Sequence, residues 1–185
     1  MIIRQTTKEI LAESLKELSA SKPIDKITIK EISANCGVTS KTFYNHFQDK
    51  YDLIAWIYST AMEKIFSKID GKNYTWKDTL TEGLNYFLDN KEFLKNLIAH
   101  TSGQDSFINY VARFNVKILS DYIKRSQNLD ILPQELEILI KVYCYGTVCT
   151  FCEMLINPAP IPDEEFVTLI EKALPEPLKK YFYKN

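Results

Sequence analysis

The eight residues Thr39-Ser40-Lys41-Thr42-Phe43-Tyr44-Asn45-His46 hold a dense set of side chains able to hydrogen-bond a partner. Phe43 and Phe47, four apart, fall on one face of a helix and leave Ser40, Lys41, Thr42, Tyr44, Asn45 and His46 facing away from it. Lysine can donate to guanine, asparagine can pair with adenine, and the hydroxyls of Ser, Thr and Tyr reach phosphate oxygens or base edges. Such a helix suits the major groove of double-stranded DNA. Lys50 stands where the next helix opens, a slightly unfavourable place for a positive charge, and its presence there points to a phosphate clamp completed by the free N–H groups of that helix end. Thr28 and Thr39, which open the two preceding helices, complete the set of DNA-contacting candidates.

Other chemistry finds little support. Cys149-Thr150-Phe151-Cys152 has the spacing of a redox or zinc pair, but it falls within a helical pattern, with no preceding strand and no second ligand pair. Cys144, Cys149 and Cys152 share one apolar run and, with Cys36, read as small core hydrophobes of a reducing compartment. The histidines are His46 and His100. No Gly-rich phosphate loop follows a strand, and no Gly-x-Ser-x-Gly or paired carboxylates occur, so enzyme, metal and cofactor readings are set aside.

The elements that must position these residues are helical. The 185 residues are 45% hydrophobic and 25% charged, with five glycines and seven prolines, and the prolines leave long stretches uninterrupted. Periodicity predicts helices over Gln5–Ser19, from Thr28 to Gly37, from Thr39 or Ser40 to His46, and from Lys50 to near Ile69. Further helices are expected over Thr75–Asn90, Lys91–Ala99, Asp105–Gln127, Pro133–Ile156 and Asp163–Leu174. Thr28 with Glu31 forms a capping box, and Gly37 suits a helix end. Three short helices, the last two joined by a tight turn, have the proportions of a helix-turn-helix. The predicted division is residues 1–50 for that unit, 50–69 for a connecting helix and 70–185 for a second domain. Residues 1–50 carry eight Lys/Arg against six Asp/Glu, and the remainder fifteen against eighteen.

Charges at Arg4, Lys8, Glu9 and Glu13 argue against an export signal. The uncharged run Val142–Cys152 is about half the ~20 residues that cross a bilayer, so no membrane partner is expected. A helix apolar on every face must be buried on several sides. A second copy of the chain is the expected cover, with Gly146 allowing close approach and Thr147 and Phe151 as positions where a lysine would break the pairing.

Ile27-Thr28-Ile29-Lys30-Glu31-Ile32, Gly37-Val38-Thr39 and Thr42-Phe43-Tyr44-Asn45-His46-Phe47-Gln48-Asp49-Lys50-Tyr51-Asp52-Leu53 resemble the signature of the TetR family of bacterial regulators over residues 5 to 55. Ser14 and Cys36 stand where many members have alanine, and Ser40-Lys41 where a glycine is frequent. Thr42-Phe43-Tyr44, Lys50-Tyr51-Asp52-Leu53, Tyr143-x-Tyr145-Gly146 and Leu174-Pro175-Glu176-Pro177-Leu178 are also similar to the dihydroxyacetone kinase regulator subgroup. The resemblance implies an all-α protein: an N-terminal three-helix helix-turn-helix domain and a C-terminal helical-bundle domain for ligand binding and dimerisation. It also implies a cytoplasmic homodimer on a DNA operator, commonly a repressor, controlled by a small-molecule effector. Tyr86, His100, Phe107, Tyr110, Phe114, Tyr143, Phe151 and Glu153 are the pocket candidates that follow from it, the same aromatics otherwise reading as plain core. The alternative is a co-regulator whose C-terminal domain receives a partner protein. A closed apolar cavity favours the effector, and a filled core with an exposed patch favours the partner.

Overall fold

Thr6 and Glu9 open the first helix by exchanging hydrogen bonds. The Thr6 N–H donates to the Glu9 carboxylate at 2.6 Å, and the Glu9 N–H donates to the Thr6 hydroxyl at 3.3 Å. Thr28 and Glu31 repeat this reciprocal cap, and Thr75 and Asp78 do so again. Each satisfies two amide groups left without helical partners, stabilising a helix start by about 1 kcal/mol. The computed structural model describes residues 5–69, 73–103, 106–158 and 160–183. Among them the helices are α1 (Thr7–Ser19), α2 (Ile29–Asn35), α3 (Ser40–Tyr44), α4 (Lys50–Phe66), α5 (Trp76–Asp89), α6 (Lys91–His100), α7 (Phe107–Gln127), α8 (Gln134–Ile156), α9 (Asp163–Lys172) and α10 (Glu176–Lys179). A 3₁₀ turn, Ile24–Lys26, joins α1 to α2. It and α10 are the elements that periodicity misses, each too short to show a stripe. The Asp105 start expected for α7 lies outside the described residues.

The N-terminal unit closes around Leu11, Leu15, Ile24, Ile32, Phe43 and Leu53, all buried. Gly37, at φ 72°, ends α2 in the left-handed region where a Cβ is strained, and the Val38 N–H then returns to the Ser33 carbonyl at 2.9 Å. The two departures from alanine have a shared use. The Ser14 hydroxyl donates to the Ile32 carbonyl at 2.7 Å, and the Cys36 thiol approaches the same oxygen at 3.3 Å.

In the C-terminal half, α8 packs along α7 and also touches α5, α6 and α10. The Trp76 indole N–H donates to the Tyr143 hydroxyl at 2.9 Å, and that hydroxyl donates to the Ile170 carbonyl at 3.1 Å, tying α5, α8 and α9 together. As a whole, α8 is long and apolar enough to cross a membrane by length and composition, which the eleven-residue uncharged run by itself is not. Here its inner side joins the core through Ile140, Cys144, Val148, Phe151 and Leu155. Ile138, Val142 and Tyr145 are exposed, at 53%, 67% and 38%, and Gly146 and Cys149 share their side of the helix. The expectation for Phe151 is therefore corrected. Its ring meets Phe87 and Phe166 at 5.6 and 5.5 Å inside its own subunit, and Thr147 is half-buried, so the outward face runs through Val142 and Tyr145.

Lys50 also departs from expectation. Its ammonium donates to the carbonyls of Ile24, Asp25 and Ile27 at 2.9, 2.8 and 2.9 Å, filling all three donor positions. Burial lowers its pKa from the ordinary lysine value, while Asp25 acts in the opposite sense. The sequence places a lysine at a helix start, but the turn some 25 residues earlier brings three carbonyls to it. Lys50 thus holds the turn and has no donor left for a phosphate. Lys50→Met retains much of the stem and removes the donors, so unfolding free energy should fall by about 1–3 kcal/mol. Urea titration checks this, and an unchanged midpoint contradicts the structural role.

Candidate nucleic-acid interface

Two aromatic anchors fix the pitch of α3. Phe43 is fully buried and Phe47 nearly so, their rings 5.8 Å apart, and Phe47 meets Trp56 of α4 at 5.9 Å. The Lys8 ammonium covers both Phe47 and Trp56, at 5.3 and 5.7 Å, which fastens α1 to the same anchor. Thr39 caps the helix: its hydroxyl oxygen accepts from the Thr42 N–H at 3.1 Å and shares a 3.0 Å hydrogen bond with the Thr42 hydroxyl. These two candidates hold each other and set the helix start.

The outward residues are arranged differently. Lys41, Tyr44, Asn45 and His46 are exposed, Tyr44 at 60%, and Ser40 is half-exposed. Tyr44 leans its ring edge-on against Phe43 at 5.8 Å, which orients it without occupying the hydroxyl. Among the described residues, none of these five side chains has a hydrogen-bond or ion-pair partner. Unspent donors and acceptors on a helix and its closing turn, with the opposite face locked, are what a groove floor can use, since no internal bond must break first.

Two sequence candidates prove to be occupied. Thr28 is exposed, but its hydroxyl and its N–H both donate to the Glu31 carboxylate at 2.8 Å. The Lys22 ammonium, 2.6 Å from Glu31, and these Thr28 bonds hold the Glu31 carboxyl down to about 2. The cap therefore stays ionised and closed. The start of α4 is closed too, because Asp49 accepts from the Tyr51 and Asp52 N–H groups at 2.7 and 2.9 Å. With the Lys50 ammonium engaged as well, the phosphate clamp expected at that helix end is replaced by internal bonds.

The pocket candidates do not converge. Tyr143 and Phe151 line a cavity of about 50 Å³ together with Tyr58, Trp76, Asn115 and Thr147. That is room for a water or two, against ~300–1,000 Å³ for a drug-sized ligand. His100, Phe107 and Tyr110 line an open groove of about 550 Å³ where α4, α6 and α7 meet. Phe114 borders another, of about 560 Å³, between α4 and α7, with Glu63, Lys117, Asp121 and Arg125. Tyr86 packs against Tyr58 and Phe87, and its hydroxyl is buried without a hydrogen-bond partner among the described residues. Glu153 is exposed on α8, where solvent or a second copy can meet its charge.

Sequence reasoning missed Tyr58 and Asn115. Tyr58 is buried among Tyr86, Phe107, Tyr110 and Phe114 in edge-on contacts of 5.7 to 6.3 Å, and its hydroxyl donates to the Asn115 side-chain oxygen at 2.9 Å. Position 58, four after Ile54, was the available signal. Burial pushes the thiols of Cys144 and Cys152 up to about 12, so neither is a ready nucleophile or metal ligand. Among the described residues no cluster of three or more His, Cys, Asp or Glu could hold a metal.

Residues 10–57 match the family described as bacterial regulatory proteins, tetR family, and residues 74–176 match a transcriptional regulator C-terminal region of the same group. The HTH-type dhaKLM operon transcriptional activator DhaS of Lactococcus lactis subsp. lactis (strain IL1403) is 26% identical over 91 residues, covering 49% of this chain and 48% of that protein. The alignment thus spans about half the length of that curated relative. Among solved structures, the dihydroxyacetone kinase operon activator DhaS has a TM-score of 0.62 at 21% identity, covering 96% of this chain and 98% of its own. The fatty acid degradation regulator FadR from Bacillus halodurans has a TM-score of 0.63 at 12% identity, covering 93% and 96%. At these identities the structural likeness concerns the fold: a helix-turn-helix followed by a helical domain. The matched families are transcriptional regulators and not enzymes. With one matched region spanning the helix-turn-helix and the other more than half of the chain, this protein belongs to the TetR family of DNA-binding transcriptional regulators.

Proposed function

We propose that the chain acts in the cytoplasm as a homodimer that places one α3 in each of two neighbouring major grooves of a roughly palindromic operator. The observation that carries this reading is the set of unpartnered side chains on α3 and the turn that follows it, held from behind by Phe43 and Phe47. Lys41 and Asn45 are assigned to base edges, Tyr44 to phosphate, and Ser40 and His46 to the flanks of the contact. Thr39 and Thr42 set the helix start, and Thr28 and Lys50 hold the frame. The division between reading and sensing parts is placed along α4.

Pairing is assigned to the exposed stripe of α8, together with α9. Ile138, Val142, Tyr145 and Cys149 recur at steps of four and three, the spacing of a seam between two helices, and their exposure is costly unless covered. Two-fold pairing along this seam sets the two copies of α3 in symmetric positions, which a palindromic site matches.

Control through the C-terminal domain follows from the family, with repression as its common form. The small cavity favours a second reading, in which a partner protein rather than a small molecule acts on that domain. DhaS, the relative described as an activator, keeps activation open as the sign of regulation here. Reporter output from the chain's own upstream region, measured with and without the protein, decides the sign.

Lys41→Ala and Asn45→Ala should each weaken binding to the selected operator by about 1–3 kcal/mol and leave random duplex nearly unaffected. Tyr44→Phe should weaken both alike. Fluorescence anisotropy on matched and scrambled duplexes separates these outcomes, and equal losses on both for Asn45→Ala exclude it as a base reader. Val142→Lys should yield monomers in sedimentation at micromolar concentration with helicity retained, and a persisting dimer removes the α8 seam from this account.

A further inference from the structure

The turn between α1 and α2 is gripped from two sides. From below, Lys50 binds the carbonyls of Ile24, Asp25 and Ile27. From the C-terminal half, one side chain of α6 does comparable work. Asn96 donates through its Nδ2 to the Ser19 carbonyl at 2.7 Å and to the Lys22 carbonyl at 2.8 Å, and its Oδ1 accepts from the Ile24 N–H at 2.8 Å. Ile24 is the shared link: its N–H faces α6, its carbonyl faces Lys50, and its side chain is fully buried.

A primary amide has two donor hydrogens and one oxygen, and Asn96 uses all of them on backbone groups that precede it by 72 to 77 residues. N–H···O hydrogen bonds lie at about 2.7–3.2 Å and are lost by about 3.6 Å, so a relative shift of ~1 Å between α6 and this turn breaks the set. The two must move together or separate. Lys50 conveys the turn's position to the start of α4, four residues after His46. The open groove of about 550 Å³ is lined by Leu97 and His100 of this same helix, so whatever enters it presses on α6.

We propose that Asn96 is the positioning residue through which the C-terminal domain sets the placement of the reading helix, by way of the Ser19–Ile27 turn and Lys50. This rests on the reading of α3 as the DNA-contacting helix. Coupling between two sites is reciprocal: if the placement of α6 biases α3, then DNA held by α3 must steady α6.

Hydrogen exchange of the full-length dimer, alone and with a duplex selected from a random library, tests this. In the unaltered protein, DNA should slow amide exchange across residues 94–98 of α6 at least threefold, although those residues lie away from the duplex. Asn96→Ala, and the shape-matched Asn96→Leu as a second variant, should still bind the duplex and protect α3 while the protection of α6 disappears. A residue that merely stabilises the fold would alter exchange in the free protein but leave the DNA-dependent difference intact. Undiminished α6 protection in both variants, or no α6 protection in the unaltered dimer bound to DNA, overturns the proposal while leaving DNA binding itself standing. If the selection enriches no duplex and α3 shows no protection, the DNA reading fails and the coupling fails with it.

Discussion

Three backbone carbonyls meeting one ammonium group is the constraint on which the N-terminal unit depends. The turn at Ile24–Lys26 makes two backbone hydrogen bonds of its own, which leave the Asp25 and Ile27 carbonyls to other donors, and it buries Ile24 and Ile27 in the unit's core. Lys50 supplies three donors at 2.8 to 2.9 Å and so makes that burial tolerable. Phe47 and Asp49 lie immediately before it, the first anchoring the end of the α3 segment in the core and the second capping α4. The position of α3 therefore follows from the turn as much as from its own sequence.

This arrangement sets two groups of polar residues apart among the described residues of the N-terminal unit. Thr28, Glu31, Thr39, Thr42, Asp49 and Lys50 spend their hydrogen-bonding capacity inside the protein. Ser40, Lys41, Tyr44, Asn45 and His46 do not. A frame satisfied from within leaves α3 without reorganisation to make before it meets a partner, and on the proposed reading that saves ordering cost on DNA association.

The sequence makes the frame legible where the relevant partners are three or four residues apart. Thr28 with Glu31, Phe43 with Phe47, and the stop at Gly37 are local signals, and each is found where the spacing predicts. The helices of the C-terminal half are likewise readable, within a residue or two at most ends. The engagement of Lys50 is hidden from the sequence because its partners are remote, and no periodicity reveals which carbonyls a turn will present. The scatter of the pocket candidates over separate sites was hidden for a related reason. Spacing shows that Tyr86, Phe107, Tyr110, Phe114, Tyr143 and Phe151 have inward-facing positions, but not that Tyr58 fills the space among four of these rings. For α8 the uncharged run Val142–Cys152 pointed to burial on several sides. Only the packing of Phe151 against Phe87 and Phe166 distinguishes the inner side from the outer one.

The central claim is that two copies of α3, related by a two-fold axis, read DNA from a rigid frame. Hydroxyl-radical footprinting of the dimer on its selected duplex tests it most directly. The account predicts two protected patches on each strand, related by a dyad, with centres about one helical turn or slightly more apart. A single unsymmetric patch, or protection spread evenly along the duplex, would contradict it.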